Sequence, residues 1–298
     1  MENMVSENSP PAMPAAGPAA SRERPLRARF TACIIAFNEE RSLPDALKSV
    51  GFADEIVVVD SHSKDRTRAI AEAFSAIHPD GSVVRPRVIE RDWPGHVEQK
   101  NFAIDQAVHD WVLCVDADER VSPELRREVE EALGQEATGV GGYTMPRKNF
   151  YLGRWVRHGG WYPDRKLRLF RKGLGRWGGT NPHDHVRVQG RVKRLRSDLH
   201  HYSYSSLSDH LRTINSFTGI AAREKMKQGV RLALLRMVLH PPFKFFKMFI
   251  LKQGFREGAV GLIMASMGAF YVFLKYAKLW ELQQKEWKDA PPPPARTG

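Results

Sequence analysis

The sequence predicts an α/β fold with a mostly parallel, Rossmann-like sheet flanked by helices. Over residues 27–140, apolar runs of strand length alternate with amphipathic stretches of helix length, a pattern typical of parallel strands joined by helical crossovers. Several of these runs end directly in acidic residues, which places polar groups at one edge of the sheet. The 298-residue chain is 42% hydrophobic, enough to bury a core of this size.

The predicted strands of this first part are the apolar runs at residues 30–37, 55–59, 83–90 and 111–115. The predicted helices are the amphipathic stretches at residues 42–50, 67–77, 97–108 and 123–133. Ser122 is the expected N-cap of the last helix, because Pro123 suits the first helical position. Ser63 or Asp65 is expected to cap the second helix. Beyond residue 140 the pattern is irregular, with short strands at residues 142–147, 166–170 and 185–189 and a helix at residues 208–227.

Charge is distributed unevenly along the chain. Residues 1–140 carry 16 Lys and Arg against 25 Asp and Glu, whereas residues 141–298 carry 30 against 9. This asymmetry indicates that the second half meets a polyanion or an anionic membrane surface. Nucleic acid is the competing partner, but no zinc-finger spacing or other nucleic-acid motif accompanies the charge, so we expect none to bind.

The two cysteines, Cys33 and Cys114, both lie inside apolar strand-like runs. We expect them to be small buried hydrophobes, because two cysteines provide neither a disulfide framework nor a zinc site. That usage fits a reducing cytoplasm. The N-terminal residues hold alanine and proline rather than an apolar secretory core, which also favours a cytoplasmic protein.

The run Trp111–Val115 ends in Asp116-Ala117-Asp118, two carboxylates one residue apart. Ligands of open α/β sheets bind at the carboxyl ends of the strands. Carboxylates at this spacing can bind a hard divalent cation, which in turn can bridge two phosphates. The segment therefore predicts a site for Mg²⁺ or Mn²⁺ and a nucleoside diphosphate at Asp116 and Asp118, unless both are merely surface acids.

Three segments together resemble glycosyltransferase family 2. They are the opening Ile34–Glu40, the strand Ile56–Ser61 and the Asp116-Ala117-Asp118 turn, which occur in the order and on the elements typical of the family. The resemblance covers roughly residues 29–225. It implies a GT-A fold, a nucleotide-sugar donor and a divalent cation, Mg²⁺ or Mn²⁺.

Several residues of these segments are candidates for binding the nucleotide. Asp60 ends the second strand, where its carboxylate can accept from a nucleobase ring N–H; the resemblance implies uracil, and hence a UDP-sugar. The alternative for Asp60 is a turn or helix cap. Glu39 resembles the family's residue near the ribose, although an acid there also suits a helix N-terminus. Ala36, where many relatives carry proline, and Asn38 belong to the same segment, and Lys100 either reaches the donor phosphates or is simply solvated.

Transfer with inversion needs a general base that deprotonates the acceptor hydroxyl. The second half of the chain is poor in acids, which leaves Asp164 and Asp184 as candidates, with a slight preference for Asp164. The alternative for Asp164 is an ion pair with neighbouring arginines. His183 or His185 could complete the metal shell, with His185 the chosen candidate, although a lone histidine is more often structural.

Three later segments narrow the resemblance. Residues 160–170, residues 192–204, and Pro242–Phe246 with residues 258–278 are similar to lipopolysaccharide core glycosyltransferases that add glucose to inner-core heptose. This similarity implies UDP-glucose as donor, a β linkage in the product and an anionic glycolipid as acceptor.

The C-terminal part is both apolar and basic. Phenylalanines alternate with lysines over residues 243–252, an amphipathic pattern that suits an interface with anionic lipid. Residues 258–274 form a stretch of 17 residues without charge, somewhat short of the ~20 that cross a bilayer. We therefore expect peripheral attachment to a membrane surface, with a true span or a soluble helix pair as alternatives.

The sequence predicts five segments with distinct roles. They are a disordered tail at 1–26, a nucleotide-sugar-binding half at 27–140, an acceptor-binding half at 141–228, a helical membrane-associated region at 229–288, and a disordered tail at 289–298. The hypothesis is an inverting, metal-dependent hexosyltransferase, peripheral on the cytoplasmic face of a bacterial inner membrane. The alternatives are the same fold acting on a polyprenyl phosphate, another glycan or a protein, and a noncatalytic membrane-bound scaffold that binds nucleotide sugars.

Overall fold

A computed structural model describes residues 27–135, 139–180, 183–204 and 206–284 of the chain. Within these residues it confirms the predicted α/β class, with a mixed sheet covered by helices. The tails predicted to be disordered, 1–26 and 289–298, lie outside the described residues.

The strands are β1 Phe30–Ala36, β2 Glu55–Asp60, β3 Ala76–Ile77, β4 Val83–Val84, β5 Pro86–Glu90, β6 Trp111–Cys114, β7 Glu119–Val121, β8 Val140–Tyr151, β9 Arg154–Trp155, β10 Asp164–Arg171, β11 Gly175–Thr180, β12 His183–Val188, β13 Arg191–Arg194 and β14 Leu199–Tyr204. The helices are α1 Leu43–Val50, α2 Thr67–Ala73, α3 His96–Gln106, α4 Pro123–Gly134, α5 Leu207–Lys227, α6 Ala233–Phe246 and α7 Gly258–Gln283. A π-helical turn, Lys247–Leu251, and a 3₁₀ turn, Gly254–Glu257, connect α6 to α7.

The main sheet consists of a parallel part and a mixed part. Its order is β5-β2-β1-β6-β10-β8-β14-β7, with β9 and β13 also paired to β8. β5, β2, β1 and β6 are parallel neighbours, whereas β10 is antiparallel to both β6 and β8. The beginning of β10 therefore lies at the edge where the parallel strands end, which brings residues from both halves of the chain to one place.

Helices cover both faces of the parallel part. On one face, β1 and β2 pack against α1 and α4 through side chains such as Leu47 and Leu125, which are fully buried. On the other face, α3 packs through Ala103 and Ile104. Cys33 and Cys114 are each 4% exposed, as predicted. Burial on both faces explains why these strands are continuous apolar runs.

Local signals predicted the helix starts better than the helix ends. The Ser122 hydroxyl accepts from the amide of Leu125 at 3.1 Å, which confirms the predicted cap of α4. At α2 it is Asp65 that accepts from the Thr67 amide, at 2.9 Å. This helix ends at Ala73, four residues before its predicted end, because Ala76–Ile77 pairs with Val83–Val84 as a short antiparallel ribbon.

The C-terminal helices pack against each other and against the domain. Ala222 of α5, Ala233 of α6 and Leu279 of α7 share one buried cluster. Met264 of α7 packs with Tyr151 of β8 in another. One helical stretch among the described residues, 254–283, is long and apolar enough to cross a membrane, with a mean hydropathy of 1.6 and 22% of its most apolar window buried.

The start of α7 lies against the 3₁₀ turn so closely that only glycine fits at Gly261. A Cβ atom there would lie 1.8 Å from the carbonyl oxygen of Gly254. We therefore expect Gly261→Ala to lower the free energy of unfolding by about 1–3 kcal/mol, because overpacking displaces backbone. Urea unfolding would measure the loss. Gly173→Ala, whose Cβ would meet nothing within 4 Å, is the matched control, and equal stability of the two variants would contradict the described packing.

Candidate active site

Side chains at the carboxyl ends of the parallel strands line a cavity of about 630 Å³, here called the central cavity. Its charged and polar lining residues are Glu39, Ser61, Lys100, Asp116, Asp118, Asp184 and His201. Its aromatic lining residues are Phe37, Trp93, His96 and Phe217. The cavity thus combines acids, a lysine and aromatic surfaces at the edge of the sheet where ligands of α/β folds bind.

Asp116, at the end of β6, is held between two cations. Lys100 Nζ lies 3.0 Å from one carboxylate oxygen and Arg168 Nη2 lies 2.6 Å from the other. Burial alone would raise the pKa of Asp116, but Arg168 and Lys100 hold it well below its usual range. Asp116 is therefore a permanent anion at the rim of the central cavity.

Arg168 also pairs with Glu119, a second carboxylate of the turn after β6. It is 3% exposed, and its Nη2 donates to Glu119 Oε1 at 2.7 Å. Glu119 is fully buried, and its other oxygen accepts from the backbone amide of Asp116 at 3.1 Å. The register between β10 and β8 shifts between Leu167 and Leu169, so Arg168 lies in a β-bulge. Such a bulge can re-aim a side chain, and here the Arg168 guanidinium meets the β6–β7 turn.

Lys100, on α3, bridges Asp116 and Asp184, two predicted site residues from different segments of the chain. It is 8% exposed, and its Nζ lies 2.8 Å from Asp184 Oδ2 as well as near Asp116. Burial alone would lower the pKa of Lys100, but the two carboxylates raise it above its ordinary value. The structure therefore brings Asp184, which lies 68 residues after Asp116 in the chain, to the same cavity.

Asp118 forms a second polar chain with β14 and β8. Its Oδ2 lies 3.1 Å from His201 Nε2, and His201 Nδ1 lies 2.6 Å from Asn149 Oδ1. The Asn149 amide donates to the carbonyl of Trp161 at 2.9 Å. The Asp118 side chain is 33% exposed, so it is more open to the central cavity than the buried Glu119.

Asp164 lies on a neighbouring cavity of about 310 Å³, here called the Asp164 cavity, which shares only His201 with the lining of the central cavity among the described residues. Arg147 donates to one of its oxygens at 2.7 Å and Lys166 lies 3.1 Å from the other. Burial alone would raise the pKa of Asp164, but these two cations lower it. The ion pair given above as the alternative for Asp164 thus forms, although with Arg147 and Lys166 rather than with the arginines next to it in sequence, Arg165 and Arg168.

The remaining candidates of the nucleotide-binding half take different positions. Ala36 lines the central cavity. Asp60 is fully buried, and its oxygens accept from the Ser63 amide and hydroxyl at 2.9 and 2.5 Å. Asn38 accepts from the Lys64 amide at 2.7 Å. Asp60 and Asn38 therefore fix the turn that follows β2, one residue away from the cavity-lining Ser61.

Glu39 lines the central cavity at the entrance to α1. Burial and the nearby charge of Asp118 raise the pKa of Glu39 to about 7. Its own backbone amide donates to the Thr67 hydroxyl at 2.7 Å, which fixes the loop against α2. Glu39 is thus a carboxyl group that changes charge near neutral pH beside Asp118.

His185 follows Asp184 on β12 and lies on another cavity of about 480 Å³, lined largely by cations. Its side chain is exposed, and its Nε2 accepts from Arg187 Nε at 3.3 Å. Asp184 lines this cavity as well as the central cavity. The structure brings His185 to a cavity shared with Asp116 but not with Asp118, and the side chain of His183 lies outside the described residues.

The carboxylates of the central cavity suit a divalent cation that also binds a diphosphate. Among the described residues, no group of three or more His, Cys, Asp or Glu side chains forms a closed metal shell. Magnesium in nucleotide enzymes needs only one or two protein carboxylates, since phosphate oxygens and water complete its shell. Asp118, with Asp116 beside it, provides this number of ligands.

Sequence reasoning missed Arg168 and His201 as members of the site. The strand pattern placed Arg168 near Asp164, but only the bulge and the pairing of β10 with β6 bring it to Asp116. His201 belongs to the His200-His201-Tyr202 segment noted for its similarity to lipopolysaccharide enzymes. His201 reaches the site because β14 pairs with both β8 and β7. The sequence does not reveal this long-range pairing.

The sequence profile of Glycosyl transferase family 2 matches residues 31–190 of this chain. The chain belongs to glycosyltransferase family 2. It is therefore a glycosyltransferase, and the parallel strands, acidic turn and mixed second half described above are those of a GT-A fold.

Relatives extend over almost the whole chain. The lipopolysaccharide core biosynthesis glycosyltransferase LpsC of Rhizobium meliloti (strain 1021) is 30% identical over 260 residues, which cover 85% of this chain and 92% of the relative. An uncharacterized glycosyltransferase of Rickettsia bellii (strain RML369-C) is 31% identical over 274 residues, covering 86% and 88%. The similarity thus includes the region C-terminal to the matched profile.

Solved structures of other glycosyltransferases resemble the chain at low identity. The mannosyltransferase PcManGT from Pyrobaculum calidifontis, in complex with GDP-Man and Mn²⁺, has a TM-score of 0.49 and 15% identity, with 92% of each chain covered. S. aureus TarS 1–349 in complex with UDP has a TM-score of 0.44 and 16% identity, covering 86% and 91%. At these identities the similarity concerns the fold alone.

The raised pKa of Glu39 predicts a dependence of stability on pH. Since the folded protein binds this proton more tightly than the unfolded chain, the contribution to stability is complete below about pH 4.5 and is lost as the pH rises through about 7. We therefore expect Glu39→Gln, which cannot ionise, to gain stability over the wild type between about pH 5 and about pH 8. Urea unfolding in EDTA measures the difference, and a difference that does not change with pH would contradict it.

Proposed function

We propose that this glycosyltransferase is an inverting, metal-dependent hexosyltransferase that transfers glucose from UDP-glucose to a lipopolysaccharide inner-core or related glycolipid acceptor. The observation that carries the proposal is the meeting of Lys100, Asp116, Asp118 and Asp184 around one cavity at the carboxyl edge of the parallel strands. Such a cavity can hold a diphosphate, a cation and a sugar side by side.

The nucleoside fits the aromatic side of the central cavity. Phe37 and Trp93 are 54% and 47% exposed there, which leaves their rings available to a base. Glu39 lies on the same wall, in reach of a ribose. Asp60 stabilises this pocket indirectly. Both of its carboxylate oxygens accept hydrogen bonds from Ser63, which fixes the turn beside Ser61.

The diphosphate fits the charged side of the central cavity. Lys100 already bridges two carboxylates, and its ammonium group can turn to a phosphate oxygen at the cavity surface. Asp118 and Asp116 would hold Mg²⁺ or Mn²⁺, which would offset the charge that develops on the departing UDP. Arg168 keeps Asp116 ionised for this role throughout the neutral pH range.

Asp184 fits the role of general base better than Asp164. It lines the same cavity as Asp118, so it can meet an acceptor hydroxyl close to the sugar. Asp164 lies on the adjoining cavity, each of its oxygens is held by a cation, and its lowered pKa makes it a weaker proton acceptor. Asp164, with Arg147, then helps to position the acceptor.

The acceptor and the membrane belong to the cationic second half. LpsC, by its name, acts in lipopolysaccharide core biosynthesis. In this chain, α6 and the following turn expose large apolar side chains near Arg236 and several lysines. They include Leu235, Leu239, Phe243, Phe246 and Leu251, which are 49–62% exposed. Exposed apolar side chains among cations favour peripheral attachment to the anionic cytoplasmic face of the inner membrane.

Transfer assays test the proposal and separate the two base candidates. With UDP-glucose, Mn²⁺ and heptose-terminated lipopolysaccharide, we expect glucose transfer that EDTA abolishes. Asp184→Asn should lower the kcat of transfer by about 100- to 10,000-fold, as loss of a general base does. Asp164→Asn should act mainly on the KM for the acceptor, and Asp105→Asn, an exposed residue on α3, is the matched control.

Several outcomes would contradict the proposal. Transfer that continues in EDTA would refute the proposed metal dependence. Full kcat in Asp184→Asn, together with a loss of kcat in Asp164→Asn, would show that Asp164 is the base. Transfer to a polyprenyl phosphate, with none to lipopolysaccharide, would refute the acceptor while leaving the donor site in place.

A further inference from the structure

A cavity of about 440 Å³, here called the lysine cavity, lies between α5, the π-helical turn and α7. Three lysines line it, Lys244, Lys247 and Lys252. Its aromatic wall consists of Trp161, Tyr204, His210, Phe217 and Tyr271. The residues of the central cavity that hold the donor do not account for this second, cationic space.

The charges of the lysine cavity are not balanced by acids. None of its lining residues is acidic, and none of the three lysines forms an ion pair with any residue that the structure describes. Lys244 is half-buried, and burial together with the Lys247 charge lowers its pKa. Cations gathered in this way repel one another, and an anion placed between them would relieve both the repulsion and the cost of burial.

The cavity is built by specific contacts rather than by chance proximity of long side chains. The Gly159 amide donates to the Lys252 carbonyl at 2.7 Å. A Cβ at Gly160, whose φ is +80°, would lie 3.4 Å from Lys252 Cγ, so the loop backbone lies directly on the lysine stem. Glu257, 3% exposed, accepts from the Arg157 and His158 amides at 2.9 and 3.0 Å. The loop before Asp164 is thereby fixed to the turns that carry the lysines.

The aromatic wall is equally well fixed. His210 is 5% exposed, lies 2.8 Å from the Tyr151 hydroxyl through Nδ1, and stacks on Tyr204 with ring centroids 4.1 Å apart. Trp161 packs on Tyr151 with centroids 5.1 Å apart. Rigid aromatic faces of this kind suit the apolar faces of a sugar ring, while the lysines of the same cavity suit an anion.

The lysine cavity continues into the candidate active site. Gly160, Trp161 and Tyr204 line both the lysine cavity and the Asp164 cavity. His201 then lines both the Asp164 cavity and the central cavity, and Phe217 lines both the lysine cavity and the central cavity. A ligand anchored among the lysines can therefore extend a saccharide past Trp161 toward Asp118.

We propose that the lysine cavity binds a phosphate group of the acceptor, a phosphorylated lipid-linked saccharide. Its saccharide then lies along Trp161 and Tyr204 toward the central cavity, and its lipid lies on the exposed apolar residues Phe243, Phe246 and Leu251 of the same segment. This inference rests on the proposed function, since it names the phosphate group by which the enzyme binds its proposed acceptor.

Binding of a defined glycolipid with and without its phosphates tests this inference. The probe is heptose-terminated lipopolysaccharide in neutral detergent micelles, either intact or dephosphorylated with aqueous hydrogen fluoride. We expect the wild type to bind the intact form at least about tenfold more tightly, because each charge-assisted contact to phosphate is stronger than a neutral one. The triple variant Lys244→Gln, Lys247→Gln, Lys252→Gln should bind both forms equally weakly, and the corresponding Lys→Arg triple variant should recover the preference.

A matched charge control separates the acceptor phosphate from lipid headgroups. The variant Lys227→Gln, Arg231→Gln, Arg236→Gln loses the same charge from the same region without touching the cavity lining. It should keep the preference for intact glycolipid, whereas both glutamine variants should bind less to phosphatidylglycerol vesicles. Equal loss of glycolipid binding in both would overturn the proposal and assign the lysines to bilayer headgroups.

Two further outcomes decide the inference independently of catalysis. If the wild type binds intact and dephosphorylated glycolipid equally, the proposal is wrong even where transfer occurs. If the phosphate preference holds and depends on the cavity lysines, the proposal stands even where no glucose is transferred, and the failure then belongs to the proposed function. UDP binding by each variant, followed by calorimetry, reports whether the donor half is folded.

Discussion

The structure depends most on the buried guanidinium of Arg168. Its Nη2 lies 2.6 Å from Asp116 Oδ2 and 2.7 Å from Glu119 Oε1, so one residue of β10 joins two carboxylates of the turn after β6. Glu119 is fully buried, so without Arg168 its charge would have only the longer contact to Arg147, at 3.3 Å, and the loss would cost about 3–5 kcal/mol. Arg147 continues the network from Glu119 to Asp164, so the order of the site and the pairing of β6, β8 and β10 support each other.

The network also explains how the charge asymmetry of the sequence is used. The acidic first half supplies Asp116 and Glu119, and the basic second half supplies Arg147 and Arg168, which pair with them. The insertion of β10 beside β6 is the step that brings the two sets together. The lysines Lys244, Lys247 and Lys252 take no part in this network and line the separate lysine cavity.

The features that the sequence predicted well are those that depend on neighbouring residues. The bounds of β1, β2, β6 and α4 and the Ser122 cap follow from neighbouring residues, and they agree with the structure to within a residue or two. The family resemblance likewise depended on short segments in order. The early end of α2 did not follow, because a two-residue ribbon between Ala76–Ile77 and Val83–Val84 competes with the last helical turn.

Long-range partners in the site were not predictable in the same way. Asp116, Asp118 and Asp184 all line the central cavity, but the sequence contains no sign that Lys100 would lie between two of them. In the structure Ser63 donates to both carboxylate oxygens of Asp60, which is the turn contact that the sequence offered as the alternative, and the contact of Asp60 with a base stays a prediction. Arg168 reaches Asp116 only through a bulge, and bulges have no reliable signature in a single sequence.

The central claim, that one buried arginine holds the acidic turn in place, is tested most directly by the stability of Arg168→Gln. Equilibrium urea unfolding should show a loss of about 3–5 kcal/mol, because Glu119 would remain buried beside Asp116 with too little positive charge. Arg165→Gln, an exposed arginine of the same strand, should change the free energy of unfolding by no more than about 0.5 kcal/mol. Equal stability of the two variants would contradict the account.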